Sequence, residues 1–248
     1  MIYLKREKRF RFTRKRKINL KKGLYLIPNL FTFGNAFFGF CSIIFTANGN
    51  FFAAAYFILL GALMDALDGR LARLFKTQSS IGVQLDSLSD SISFCLAPAF
   101  LIYSWQLKYI GFLGVLFSAL FLLAGLLRLA RFNVIHEQQT IFFLGIPTTI
   151  AGCFLATLML NFTKISKNPY FIGVIACLVL FLAFLMISSV KFPTFKQNLP
   201  NLNKNLYVVF FIILFAIISV LQFHRVLLLL FLFYFVSSFF MHFTSKEK

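Results

Sequence analysis

Apolar residues in this chain come in runs long enough to cross a bilayer, divided by short polar breaks, and few folds are compatible with that pattern. The runs fall near residues 30–47, 52–74, 86–105, 109–128, 144–162, 170–190, 206–222 and 226–243. A helix rises about 1.5 Å per residue, so roughly 20 residues cover a hydrocarbon core of ~30 Å. No window alternates with the two-residue period of a barrel strand, and in lipid only a helix or a closed barrel satisfies the backbone. The expected fold is an all-α polytopic membrane protein with about eight transmembrane helices. A hydrophobic share of 60% over 248 residues agrees, since a soluble domain carries less.

The net charge of +18 comes from a scarcity of acids and a basic start. Residues 1–22, "MIYLKREKRFRFTRKRKINLKK", hold eleven of the twenty-five Lys and Arg. They read as a cytoplasmic juxtamembrane segment that meets anionic lipid headgroups, in preference to a nucleic-acid arm. Pro28, Asn29 and Asn35 interrupt the apolar region a cleaved signal peptide would need, so the segment is expected to be retained. With the N-terminus inside and eight spans, only Lys108, Lys164, Lys167 and Arg225 fall outside. Both termini and the connection between spans two and three are therefore expected to be cytoplasmic. Cys41, Cys95, Cys153 and Cys177 stand singly in apolar segments and read as packing residues. His136, His224 and His242 are scattered near helix ends and suggest no site.

The connection between spans two and three belongs to the stretch "MDALDGRLARLFKTQSSIGVQLDSLSD", which holds four of the seven acidic residues. On a helix Asp65 and Asp68 are three residues apart, and Gly82, Asp86 and Asp90 repeat at four, which gives each set one face. If a turn near "KTQSS" folds the helices antiparallel, four carboxylates converge at the cytoplasmic ends of the spans. Such a concentration of negative charge is costly beside lipid, and Arg70 and Arg73 are too few to neutralise it. Hard carboxylate oxygens suit Mg²⁺ or Mn²⁺, and Mg²⁺ completes its shell with water and substrate phosphates. Gly69 and Ala72 clear a groove beside the acidic face in which a bulky ligand such as a nucleotide can approach the backbone. The plainer alternative is a solvated helix end paired with Arg70, Arg73 and Lys76.

The spacing Asp65-x2-Asp68-Gly69-x2-Ala72-Arg73-x8-Gly82-x3-Asp86-x3-Asp90 resembles the complete signature of the CDP-alcohol phosphotransferase family. The resemblance implies a membrane enzyme that moves a phosphatidyl or related group from a CDP-linked donor to an alcohol and releases CMP. It implies two divalent ions, with Asp65, Asp68 and Asp86 as ligands, and Asp90 as general base that also reaches a metal. By the same resemblance Asp68, Gly69, Ala72, Arg73, Ser79 and Gly82 hold the nucleotide and its diphosphate. In "PNLFTFGNAFFG", which resembles the start of the family's first span, Asn29 and Thr32 would lie beside the CDP group.

The acceptor must be sought elsewhere. In "RLARFN", Arg128 and Arg131 share a helical face and can meet an anionic group, with Asn133 beside them; positive-inside anchoring is the plainer alternative. This segment, "FLGIP" and "SSVKFPTFK" resemble the phosphatidylserine synthase branch, although Thr149 stands where relatives often have proline. That branch implies CDP-diacylglycerol and L-serine as substrates, with Arg128, Arg131 and Asn133 holding serine. A phosphatidylglycerophosphate synthase is the alternative within the family, and a transporter with an acidic cytoplasmic gate the alternative outside it. The expected organisation is a basic segment over 1–27, a core of about six helices over 28–196 and a helix pair over 197–248. A homodimer in a bacterial inner membrane is expected, with no nucleic-acid partner.

Overall fold

The computed structural model describes residues 26–75, 80–135, 143–162, 165–188, 191–192, 225, 227–232 and 234–235. Helix α1 (Leu26–Ala47) turns back through Asn48–Asn50 into α2 (Phe51–Phe75). Gly49 takes φ 76° in that turn, a conformation open to glycine, and the Asn50 side chain accepts from the Ala53 amide at 3.1 Å, capping α2. Phe57 stacks on Phe38 and Phe45, with ring centroids 6.0 and 5.0 Å away, and ties the hairpin together.

The third apolar run is broken internally. Helix α3 (Ser80–Asp90) passes into a π-helical segment, Ser91–Leu96, and then into α4 (Ala97–Trp105). The Ala97 amide reaches back five residues to the Ile92 carbonyl. Pro98 follows at once and has neither the amide nor the space for a normal turn onto residue 94. A widened turn just ahead of it removes the conflict. Three glycines from other helices lie against this segment. A Cβ on Gly39 of α1 would fall 2.8 Å from the Ser93 Cα, and one on Gly152 would fall 2.8 Å from the Phe94 carbonyl oxygen. One on Gly125 would fall 2.5 Å from the Cys95 Sγ.

A short 3₁₀ turn (Leu107–Ile110) and Gly111, at φ 60°, reverse the chain into α5 (Phe112–Ile135). The two-residue strand β1 (Phe143–Leu144) pairs antiparallel with β2 (Lys191–Phe192), with Phe143 opposite Phe192 and Leu144 opposite Lys191. Between them lie α6 (Thr148–Asn161) and α7 (Pro169–Ile187). Asn168 caps α7 by accepting from the Tyr170 amide, ahead of a Pro at the first helical position.

Among the described residues, five helical stretches are long and apolar enough to cross a membrane. They are Asn29–Ala47, Phe51–Gly69, Ile81–Trp105, Phe112–Val134 and Pro169–Ile187. The chain is an all-α, multi-pass membrane protein. The run expected at 144–162 is shorter than a full span, because its first residues form β1 and the turn through Gly145, at φ 75°. At 14 residues α6 reaches about 21 Å. Eleven of its residues are buried, so protein rather than lipid shields its ends. The expected span 206–222 lies outside the described residues; of 226–243, the described part is helical, and Phe231 and Phe235 set their rings edge-on to Phe154 of α6.

Candidate metal centre and active site

Asp65 and Asp68 stand in the last turns of α2, and Asp86 and Asp90 in the last two turns of α3. The helical spacings that give each pair one face bring them together where the helices adjoin. The ligand atoms of Asp65, Asp68 and Asp86 lie within 4.8 Å of one another. Asp90 is outside that triplet, yet near enough for its charge to act on Asp65, Asp86 and Asp68.

This donor set fits a hard divalent cation. Three carboxylates face one another in a partly buried place, Asp68 being 5% exposed, and the Asp86 Oδ1 is buried without a hydrogen-bond partner. An anionic oxygen left bare is costly, and a divalent ion is the group that oxygens at this spacing accommodate.

Neutral donors from outside the acidic stretch hold the other carboxylates. The Thr32 hydroxyl donates to the Asp68 Oδ2 at 2.9 Å, the Asn35 amide donates to the Asp90 Oδ1 at 3.1 Å, and the Thr149 hydroxyl bonds Asp65. The same α1 residues are gripped from behind. Ser89 Oγ donates to the Thr32 carbonyl at 2.6 Å and Ser93 Oγ to the Asn35 carbonyl at 2.8 Å. Thus α1, which supplies none of the four carboxylates, sets the rotamers of two of them.

Asn29 is half-buried in α1, one turn before Thr32. Gly69 is exposed, and a Cβ there would meet nothing within 4 Å, so space lies open beside the acidic face. Gly82 lies one turn before Asp86. Ala72 and Arg73 continue α2, with side chains outside the described set, and Ser79 lies outside the described residues.

Arg128, Arg131 and Asn133 lie in the last turns of α5 with different surroundings. Arg128 is 8% exposed, donates to Thr148 Oγ1 at 3.2 Å and keeps a buried Nε without a partner. It is close enough to Asp90 for their charges to interact. Arg131 donates to the Ile187, Ser188 and Met186 carbonyls at 2.9, 3.4 and 3.5 Å, closing the C-terminal end of α7. Asn133 accepts from Ser87 Oγ at 3.0 Å, which ties α5 to the helix of Asp86 and Asp90.

Sequence reasoning noticed Asn35 only as a break in an apolar run, and it missed Ser89, Ser93 and the Asp65–Thr149 contact. A signal was present for the first: Asn29, Thr32 and Asn35 repeat every three residues and form a polar stripe on the first half of a largely apolar helix.

The sequence pattern of the CDP-alcohol phosphatidyltransferase family matches residues 25–194. The chain belongs to that family. The match runs from the start of α1 past β2, and so includes every element that lines the acidic cluster. Among the similar proteins is the CDP-diacylglycerol–serine O-phosphatidyltransferase of Helicobacter pylori strain J99. It is 34% identical over 195 residues, covering 76% of this chain and 81% of the relative. The Bacillus subtilis protein of the same name is 36% identical over 172 residues, or 69% and 92% of the two chains. An archaetidylserine synthase from Methanothermobacter thermautotrophicus is 35% identical, over 67% and 69%.

Proposed function

We propose that the chain transfers the phosphatidyl group of CDP-diacylglycerol to the hydroxyl of L-serine, giving phosphatidylserine and CMP. The observation that carries this reading is the convergence of Asp65, Asp68 and Asp86, with ligand atoms within 4.8 Å of one another, on the two helices that bear the family signature. Support for serine comes from the relatives, which are named as serine transferases in two bacteria and as an archaetidylserine synthase in an archaeon.

Asp65, Asp68 and Asp86 would hold two divalent ions, Mg²⁺ or Mn²⁺, with Asp90 reaching toward them. Such ions, when bound, offset the charge of the donor diphosphate and of the departing CMP. The CDP moiety lies in the groove left open at Gly69, beside Asn29, Thr32 and Asp68, with Ala72, Arg73, Ser79 and Gly82 completing it. Asp90 accepts the serine hydroxyl proton as the serine oxygen bonds to the phosphatidyl phosphorus. The phosphorus–oxygen bond to CMP breaks, and CMP leaves with the bonding electrons. Arg128 meets the serine carboxylate, a role supported by its buried, unpartnered Nε and its nearness to Asp90. Arg131 and Asn133 serve that site by holding α5 against α7 and α3.

The charge distribution supports the orientation in this wider reading, and the rest of it is proposed with it. The site and both termini face the cytoplasm of a bacterial cell, and the 1–27 segment binds anionic lipids. The core over 28–196 works as a homodimer, with residues 197–248 as an appended helix pair.

Purified protein given CDP-diacylglycerol, Mg²⁺ or Mn²⁺, and labelled serine, glycerol 3-phosphate or inositol phosphate in parallel provides the test. Label should enter lipid from serine, and a chelator should stop it. Transfer to glycerol 3-phosphate with serine ignored would overturn the acceptor assignment, and transfer from serine unaffected by chelation would overturn the metal centre.

A further inference from the structure

We propose that Asn35 is a positioning residue for Asp90: its amide holds one carboxylate oxygen so that the other is presented to the acceptor hydroxyl. This rests on the reading of Asp90 as proton acceptor given above.

Asn35 is fully buried, at 0% exposure, in the body of a membrane-crossing helix, where an amide is costly and needs a reason. Its Nδ2 donates to the Asp90 Oδ1 at 3.1 Å, while its main-chain carbonyl accepts from the Ser93 hydroxyl at 2.8 Å. Ser93 follows Asp90 by three residues on the same continuous helix, in the π-helical segment. One residue of α1 is therefore bound to that helix at two points, and Asp90 is the one of the two that carries charge.

The amide is also confined from α2. A Cβ on Gly61 would come within 3.0 Å of the Asn35 Oδ1, so the side chain sits between α2 and α3 with little room to turn. That Oδ1 is buried without a partner. A residue selected for packing would not leave an acceptor bare, whereas one selected to aim its Nδ2 at a carboxylate tolerates it. Thr32 makes the same kind of contact to Asp68, but Asp68 belongs to the triplet that gathers ligand atoms, so losing that contact should first disturb metal and donor binding. Asn35 acts on the carboxylate outside the triplet, and its loss should fall on turnover.

The test uses the full chain in four forms: wild type, Asn35→Ala, Asp90→Asn and the double variant. Turnover, KM for serine and metal-dependent binding of CDP-diacylglycerol are measured for each. Asn35→Ala should lower kcat by about 10- to 100-fold, as loss of a group that orients a reacting side chain does. Its donor binding and KM for serine should stay within about threefold of wild type. The double variant should be no slower than Asp90→Asn, because Asn35 then has no base to position. If the two effects multiply, the positioning proposal is wrong while the base reading stands. Loss of donor binding along with turnover in Asn35→Ala would also overturn it, because Asn35 would then support the whole site. Near-normal turnover in Asp90→Asn would remove the base reading itself, and the proposal with it.

Discussion

Gly69 is the residue at which fold and chemistry make opposite demands. It stands in α2 immediately after Asp68, exposed, with open space where a Cβ would be. For the fold alone alanine is the better choice, by about 1 kcal/mol in a helix interior. Gly69→Ala should therefore leave thermal stability unchanged or raised. It should weaken CDP-diacylglycerol binding by about tenfold or more, because the methyl group enters the groove proposed for the nucleotide. Equal donor affinity in wild type and variant would place the nucleotide elsewhere. The four aspartates were legible because two short helical repeats, in a sequence poor in acids, share one place once their helices run antiparallel. Their hydrogen-bond partners were not, since Thr32, Asn35 and Thr149 are brought to them by packing between distant elements. The hydrogen bonds of Arg131 to the end of α7 and of Asn133 to Ser87 were hidden for the same reason. A cation near a helix end reads as a substrate contact or an anchor, and only the fold shows Arg131 beneath the last carbonyls of α7.

At the scale of elements, the π-helical segment behind Asp90 is the part most exposed to small changes. Gly39, Gly125 and Gly152 pack against its residues Ser93, Cys95 and Phe94 from three different helices. Close approach of this kind leaves no room for a methyl group where the opposing atom is backbone. Gly39→Ala would put its Cβ against Ser93 Oγ and 2.8 Å from the Ser93 Cα, so one of the helices must move. The expected cost is about 1–3 kcal/mol of stability, seen as a lower midpoint of thermal unfolding in detergent together with reduced turnover. Gly173→Ala is the control. A Cβ there meets nothing within 4 Å, and the change should be neutral or slightly stabilising. Equal behaviour of the two variants would mean that the glycines do not hold the segment. Among the described residues, the five membrane-length stretches were readable from hydropathy, whereas the run at 144–162 was read as a full span and is a 14-residue helix. The π segment was not, because Pro98 marks a disturbance in a helix without stating whether it becomes a kink, a break or a widened turn.

At the scale of the whole molecule, the distribution of Lys and Arg predicts an orientation. Single cysteines on a Cys-free background at Ser79 and Gln138 should resist an impermeant reagent added to intact cells, and those at Ser104 and Lys164 should react. Labelling at Ser79 from outside would put the acidic cluster on the wrong face for a cytoplasmic nucleotide donor. Direct titration with Mn²⁺ tests, without relying on turnover, whether the place where Asp65 and Asp68 of α2 meet Asp86 of α3 is a divalent-metal site. Free Mn²⁺ gives a paramagnetic resonance signal that is lost on binding, so bound ion is counted by difference. Wild-type protein should take up two Mn²⁺ per chain, and Asp65→Asn, Asp68→Asn and Asp86→Asn should each lose affinity by about tenfold or more, as a neutral oxygen replaces an anionic one. Uptake by all three variants equal to that of the wild type would contradict the account.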